Sequence, residues 1–359
     1  MRVTTSKILL LLAAMLTMVS CDEYEIKIDT QVFRDGSCLR TITSGNGEFL
    51  MDEDGWDYKE IVLPADSSDN GFTIHGYDAD GNPVWKKNSV RTYILSRRFD
   101  NVEDMISNQI IQIEGEPLAS KAALTRSFKW FYTDYTFTET FGGWNDHFNI
   151  RLTDYVNKDE ASFWFTGYPE PAKGLTGNEL SDIMSDMSEK MEHWAYAVIW
   201  DIYFQTIAHY YDVFQNPPVD CATFLSMRDS VISAAWERDV EFWGNDDAEF
   251  MFLDEFFHTD MFSKLDITEE MNNYGSALWL QSLGLSHLEM PYTLKMPGRV
   301  VDSGHGVVEN GTIVYKFDGG FLIPGDYTFT ATSRCVNVWA FLLSGLILVI
   351  AVGSFFIKR

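Results

Sequence analysis

The sequence predicts an α+β fold in which N- and C-terminal strands share a mixed or antiparallel sheet around a helical insertion, followed by one C-terminal transmembrane helix. Three observations predict it. Apolar and polar residues alternate near both ends of the chain, as in half-buried strands. Residues 178–214 contain neither Pro nor Gly and are rich in Met, Ala and aromatic residues, as in a long helix. Residues 336–357 carry no charge.

The composition is that of a folded, acidic protein. Of the 359 residues, 46% are hydrophobic, which is enough for a sizeable core and argues against disorder. The 53 acidic side chains outnumber 27 basic ones, so the net charge is -26. Such a charge argues against nucleic acid as a partner. It also repels anionic lipid headgroups and favours cationic partners or partners bridged by divalent ions.

The first twenty residues are predicted to be an export signal, because a basic start precedes the apolar run Ile8–Val19. Leu16–Cys21 resembles a bacterial lipobox, although Met18 stands where Leu is usual. The resemblance implies cleavage before Cys21 and acylation of that cysteine, with palmitate as a typical acyl group. An uncleaved signal anchor is the alternative. The short apolar run and the acidic sequence that starts at Asp22 favour the lipoprotein.

Strands are predicted in the region after Cys21. Residues 24–44 have the pattern of a hairpin with a turn at Asp35-Gly36. A second pair of strands is expected over 71–77 and 84–95. Residues 128–141, dense in aromatic residues and Thr, predict another strand.

Helices are predicted next. The first covers 178–214 as one long helix or two joined helices, ended by a Pro-Pro pair. Three more are expected over 222–242, 246–258 and 268–283, and a Gly closes the last one.

Strand patterns return over 292–332, where Asn310-Gly311 is a two-residue hairpin signal. The alternative to a single domain is a separate all-α domain between two β domains, but the chain has no long Pro/Gly/Ser-rich linker. The expected parts are a signal peptide (1–20), a β-rich part (21–175), a helical insertion or subdomain (176–284), strands completing the sheet (285–334) and a transmembrane helix (336–357).

The C-terminal apolar run is long enough to cross a bilayer. Trp339 stands near its start, where an indole favours the headgroup layer, and the basic pair Lys358-Arg359 follows it. A buried core helix is the alternative. Positively charged ends stay in the cytoplasm, so both signals place residues 22–334 outside it, at an inner membrane and in the periplasm. Acidic residues after Cys21 resemble surface-export tags of Bacteroidota lipoproteins, which leaves the outer membrane or cell surface as the alternative.

The layout of the chain resembles LppM-like bacterial envelope lipoproteins. A hairpin over Tyr24–Thr43 follows a lipidated cysteine, and late strands lead to a closing membrane helix. The chain also resembles a Bacteroidota-type lipoprotein with a C-terminal transmembrane helix. The resemblance covers only the two ends, and the helical middle departs from it. It implies a sheet topology and no activity.

The long helix carries the strongest candidate site. Steps of four place Asp201, Gln205 and His209 on one stripe, with Asp212 beside it and His193 two turns earlier. Imidazole and carboxylate groups in this arrangement can hold a zinc-type ion or act as a base and its orienting partner. The alternative is a narrow polar face on a largely buried helix. No recognised metal motif supports the first interpretation.

Three acidic regions are weaker candidates for a site. Asp52, Asp54 and Asp57, and likewise Asp78–Asn82, resemble calcium loops, but neither has the twelve-residue loop with its closing Glu, so turns are expected. The acidic belt over 237–255 alternates with aromatic residues and suggests either a glycoside site or a solvated helix face. The chain has no phosphate loop, nucleophile elbow or dinucleotide fingerprint, and no cofactor is expected.

Three cysteines remain once Cys21 is lipidated. A disulfide between Cys38 and Cys221 can form outside the cytoplasm, whereas Cys335 lies beside the apolar run and can stay free or bridge two copies.

Two membrane anchors and the lack of a catalytic motif predict a non-enzymatic envelope scaffold or accessory protein, with an envelope protein as partner. The alternatives are a metal-dependent hydrolase that uses the His193–Asp212 stripe and a ligand-binding envelope module.

Overall fold

The computed structural model describes residues 25–45, 47–51, 55–64, 72–77, 83–87, 89–107, 110–113, 115–169, 174–240, 242 and 248–357. Cys21, Asp52, Asp54 and Asp78–Asn82 lie outside these residues. The fold is α+β with a mixed sheet, as predicted. Two compact units form it. The β unit comprises Glu23–Gly142, Leu288–Asp318 and Asp326–Arg359, and the helical unit comprises Gly143–His287 and Gly319–Gly325.

The β unit contains all the strands of the described residues. In chain order these are β1 Ile26–Val32, β2 Cys38–Ser44, β3 Asp57–Pro64, β4 Phe72–Tyr77, β5 Pro83–Lys87, β6 Ser89–Phe99, β7 Gln112–Ile113, β8 Glu116–Pro117, β9 Ser120–Lys129, β10 Tyr132–Phe141, β11 Tyr292–Lys295, β12 Arg299–Asp302, β13 Val307–Glu309, β14 Thr312–Tyr315 and β15 Tyr327–Val336.

A seven-stranded sheet has the order β13-β14-β11-β1-β2-β6-β3, and a four-stranded sheet has the order β12-β15-β10-β9. The predicted hairpin is confirmed, because β1 and β2 pair antiparallel from Ile26–Ser44 to Val32–Cys38. β1 also pairs in parallel with β11, with Ile28 opposite Tyr292. N- and C-terminal strands therefore share one mixed sheet.

A second confirmed element is the turn at Asn310-Gly311 between β13 and β14. Both residues have positive φ, 51° and 82°, which Asn and Gly tolerate better than other residues do. The strand predicted over 128–141 is instead two strands. β9 ends at Lys129 and β10 begins at Tyr132, with the turn at Trp130 and Phe131.

A buried ionic network lies in the β unit. Nη2 of Arg40 in β2 donates to both carboxylate oxygens of Glu139 in β10, at 2.7 and 2.6 Å. Ser120 and Tyr292 also donate to this carboxylate, at 2.9 and 2.5 Å. Burial and the neighbouring Glu139 charge raise the pKa of Tyr292 well above its ordinary value, so the phenol keeps its proton and donates.

The helical unit contains α1 Lys158–Thr166, α2 Gly177–His209, α3 Cys221–Ser226, α4 Arg228–Glu237, α5 Ala248–Phe257 and α6 Glu269–Leu280. The long helix is thus confirmed as one helix. It begins with a capping box between Thr176 and Glu179. The helix predicted over 222–242 is wrong as a single element, because it divides at Met227 into α3 and α4.

The last helix, α7, spans Val338–Ile357. The transmembrane helix predicted over 336–357 is wrong: in the part of the chain that the structure describes, no helix has both the length and the apolar character needed to cross a membrane. Val336 belongs to β15 rather than to the helix, and Asn337 separates the two elements. The helix is therefore shorter than the charge-free run.

The described cysteines are free thiols, and the disulfide between Cys38 and Cys221 is not seen. Cys38 is fully buried at the start of β2 in the β unit. Cys221 is half-buried at the start of α3 in the helical unit. The two thiols thus belong to different compact units.

Candidate functional site

The helical unit contains an open pocket of about 590 Å³. α2 contributes one wall, and α3, α4, α6 and the segment before α1 contribute the others. The lining residues are Asn149, Asp201, Phe204, Gln205, Ala208, His209, Cys221, Leu225, Arg228 and Tyr274. Both polar and apolar side chains thus line the pocket.

Asp201 is the most buried polar side chain of the pocket, with 7% exposure. Its Oδ1 atom accepts a hydrogen bond from Nη1 of Arg228 at 2.8 Å. Its Oδ2 atom accepts from Gln205 at 2.6 Å and from Asn149 at 3.2 Å. Both oxygens are engaged, and the carboxylate is fixed in position by three donors.

Arg228 is shared between two carboxylates. Besides Asp201, it donates from Nε to Oδ1 of the exposed Asp229 at 2.9 Å. Burial opposes its charge, but the hydrogen bonds and charges of both carboxylates raise the pKa of Arg228 further above its ordinary value. The guanidinium therefore stays charged. Its Nη2 atom has no hydrogen bond to any described residue.

Two stacked aromatic rings also line the pocket. The rings of His209 in α2 and Tyr274 in α6 stack with centroids 4.2 Å apart and an interplanar angle of 14°. Neither the His209 ring nitrogens nor the Tyr274 hydroxyl forms a hydrogen bond within the described residues. Phe204 also belongs to the lining but is fully buried, with its ring stacked on Phe224. The site thus has polar groups at its surface that are available to a ligand.

Three residues of the predicted stripe line this pocket: Asp201, Gln205 and His209. His193 does not. Its ring stacks on Trp236 at 4.3 Å, and burial lowers its pKa below the ordinary value. Asp212 is exposed in the short 3-10 turn that follows α2, outside the lining. The stripe is therefore only in part a site.

The chemistry of the stripe does not fit a metal centre. Within the described residues, no group of three or more His, Cys, Asp or Glu side chains is arranged to hold a metal ion. Asp201 has both oxygens occupied by N–H donors, and His193 lies elsewhere. The remaining ligand from the stripe in the pocket is His209.

The acidic belt over 237–255 contains both buried and exposed carboxylates. Glu249 is buried and accepts a hydrogen bond from the Tyr203 hydroxyl at 3.1 Å. Asp254 is buried and accepts from the backbone N–H groups of Phe262 and Ser263, which fixes the chain after α5. Glu255 is exposed and pairs with Arg238. These carboxylates lie outside the pocket lining, and two of them act within the core.

Four lining residues with polar side-chain atoms were not predicted from the sequence as part of a site: Asn149, Cys221, Arg228 and Tyr274. They come from segments separated along the chain. The sequence did contain one indication for Arg228: it is the only basic residue in 222–237, next to a helix with a polar stripe.

Comparison of the chain with known protein families, with curated proteins and with solved structures finds no match.

Proposed function

We propose that the chain is a non-enzymatic, lipid-anchored protein of the bacterial cell envelope whose helical unit binds a small, neutral, polyhydroxylated ligand such as a sugar. The observation that carries the proposal is the open pocket organised by the Asp201–Arg228 pair. The lipid anchor rests on the lipobox at Leu16–Cys21.

The size of the pocket supports a small ligand. Protein pockets for small molecules commonly measure roughly 300–1,000 Å³. A volume of about 590 Å³ falls in this range. It accommodates a ligand of one or two sugar rings rather than a polymer segment.

The available polar groups support a hydroxylated ligand. The Arg228 Nη2 atom can donate, the Gln205 carbonyl can accept, and the Tyr274 hydroxyl and the His209 ring can do either. A sugar hydroxyl both donates and accepts, so it can bind to each of these groups. Since Asp201 fixes Arg228 and Gln205, the two planar groups are held in place before a ligand arrives.

The charge balance supports a neutral ligand. Asp201 compensates Arg228 at 2.8 Å, so the lining leaves no unpaired charge that a ligand must neutralise. Apolar contacts come from Ala208 and Leu225. Such side chains suit the C–H face of a sugar ring, and the His209–Tyr274 pair provides a flat aromatic wall.

The proposal is tested by calorimetric titration of the full chain with a panel of neutral mono- and disaccharides. We expect saturable binding of at least one sugar. Arg228→Met should weaken it by roughly ten- to a hundredfold, since one charge-assisted hydrogen bond contributes roughly 1.5–3 kcal/mol. Arg238→Met is the matched control, because Arg238 pairs with Glu255 outside the pocket.

Tyr274→Phe gives a second, milder test. It removes one hydroxyl and keeps the ring stacked on His209, so binding should weaken by roughly fivefold. Absence of saturable binding across the panel would contradict the proposal. So would equal losses in Arg228→Met and Arg238→Met, because the effect would then be unrelated to the pocket.

A further inference from the structure

The tip of the β9–β10 hairpin and the first turns of α7 form one exposed aromatic surface. We propose that this surface, called the aromatic collar, docks on the headgroup layer of an anionic lipid surface. It is independent of the sugar pocket and lies wholly in the β unit. The collar consists of Phe128, Trp130, Phe131, Trp339 and Phe341, whose exposures lie between 42% and 60%.

The collar is a contiguous cluster rather than scattered residues. Phe128 stacks on Trp339 with centroids 6.3 Å apart, and Trp130 meets the same ring edge-on at 5.4 Å. Phe131 packs on Phe341 at 4.7 Å. Contiguous exposed apolar surface of this kind marks an interaction site more often than single exposed residues do. Tryptophan in particular favours the boundary between lipid headgroups and acyl chains.

Hydrogen bonds hold the two halves of the collar together. The backbone N–H of Asn337 donates to the Phe131 carbonyl at 2.9 Å, and its side-chain amide donates to the Lys129 carbonyl at 2.9 Å. The Trp130 indole N–H donates to the Ser344 hydroxyl at 2.9 Å. The aromatic rings are thus preorganised, so docking costs little side-chain ordering.

The charges beside the collar favour anionic lipids. β9 and β15 both end at the collar, and the last five residues of the two strands include Arg126, Lys129 and Arg334 and no acidic residue. Arg126 and Lys129 are exposed. β10 has two acids, but Asp134 pairs with Arg334 and Glu139 pairs with Arg40. Each basic side chain near a bilayer of anionic lipids contributes about 1 kcal/mol.

This local charge reverses what the whole chain predicts. The net charge of -26 repels anionic headgroups at long range. Charges separated by more than roughly 8–10 Å are largely screened at physiological salt, however. The basic residues at the collar therefore decide the contact at short range. A partner that combines negative charge with an apolar interior fits both features of this surface.

The test is co-sedimentation of the full chain carrying Cys21→Ser, which cannot be lipidated, with phosphatidylcholine vesicles that contain or lack phosphatidylglycerol. We expect tighter binding to the vesicles with phosphatidylglycerol. The double variant Trp130→Ser/Phe131→Ser should weaken that binding at least tenfold. Lys129→Glu should weaken binding roughly thirtyfold on these vesicles and leave binding to phosphatidylcholine alone nearly unchanged.

Tyr58→Ser/Val62→Ser is the matched control. It removes an exposed aromatic and an exposed aliphatic side chain from β3 in the same unit, away from the collar strands. Circular dichroism checks that each variant is folded. The proposal is overturned if the collar variant binds like its parent, if the control pair loses as much binding, or if phosphatidylglycerol has no effect. Self-association at the collar without vesicle binding would also overturn it.

Discussion

Asp201 and Arg228 form an ion pair with Oδ1 and Nη1 2.8 Å apart. The pair joins the long helix α2 to α4, and the Asp201 side chain is only 7% exposed. A carboxylate in such a place must be compensated, because transfer of a charge out of water costs several kcal/mol. Arg228 supplies the charge, and Gln205 and Asn149 supply the remaining hydrogen bonds. The pair thus shapes the pocket and stabilises the helical unit.

The first prediction concerns the two carboxylates of Arg228. Asp201→Asn removes the buried partner and leaves the guanidinium with an exposed one, so we expect a loss of about 2–3 kcal/mol in the free energy of unfolding. Asp229→Asn removes the partner that is 82% exposed and should change stability by less than about 0.5 kcal/mol. Urea unfolding followed by circular dichroism measures both. Equal effects would show that burial of Asp201 has no energetic role.

The second prediction concerns Glu139 in the β unit. Glu139→Gln leaves the charge of Arg40 buried without its partner, so we expect a loss of roughly 3–5 kcal/mol. Asp134→Asn on the same strand is the control, since Asp134 pairs with the partly exposed Arg334 and its replacement should cost much less stability. Thermal unfolding of the full chain compares them. A Glu139→Gln variant as stable as Asp134→Asn would contradict this account of the network.

Local patterns predicted many of the elements. The hairpin β1–β2, the turn at Asn310-Gly311 and the helix that begins at Gly177 each depend on residues close in the chain, and each forms. α1 was missed, although Asn157 and Glu160 form a capping box that its sequence contains. The break between α3 and α4 at Met227 could not be predicted, because no Pro or Gly marks it in the sequence.

Pairings between distant segments could not be predicted. β1 lies parallel to β11, and Arg40 meets Glu139 across 99 positions of the chain. The contacts between helices that form the pocket could not be predicted either. Helical spacing placed Asp201, Gln205 and His209 on one face, but the partner of Asp201 comes from α4 and that of His209 from α6. Periodicity identifies a face and says nothing about which helix packs on it.

The third prediction is a pH dependence of stability. Burial lowers the pKa of His193 and His287 below the ordinary 6.5. Between the lowered pKa and 6.5, the unfolded chain binds protons that the folded chain does not. The contribution of the two neutral histidines to the free energy of unfolding should therefore be fully present above about pH 6.5. It should decrease as the pH falls through that window. His193→Gln should flatten the slope measured by urea unfolding between neutral and mildly acidic pH.

His258→Gln is the control for this experiment, because His258 is exposed at the end of α5. The other titratable groups are the same in all variants, so the difference between variants isolates the histidine. A His193→Gln protein with the slope of the parent would contradict the predicted contribution.

The fourth prediction concerns the lipid anchor. Cells grown with radiolabelled palmitate should incorporate the label into the chain, and Cys21→Ser should abolish incorporation because the acylated thiol is absent. Cys38→Ser is the control, since Cys38 is buried in β2. Mass spectrometry of the labelled chain locates the acyl group. Label retained in Cys21→Ser, or absent from the parent, would contradict lipidation at this cysteine.

The fifth prediction uses thiol reactivity to probe the pocket. Cys221 lines the pocket and is half-buried, whereas Cys38 and Cys335 are buried. Burial also raises the pKa of Cys38 to about 12, so almost none of its thiolate exists at neutral pH. A maleimide added to the folded Cys21→Ser chain should therefore label Cys221 fastest, with Cys38 and Cys335 reacting only on unfolding. Cys221→Ser removes the fast phase and serves as the control.

A sugar that fills the pocket should slow the labelling of Cys221, because it covers the thiol. Rapid labelling of Cys38 in the folded chain would contradict its burial, and a bound sugar that leaves the Cys221 rate unchanged would place the ligand elsewhere.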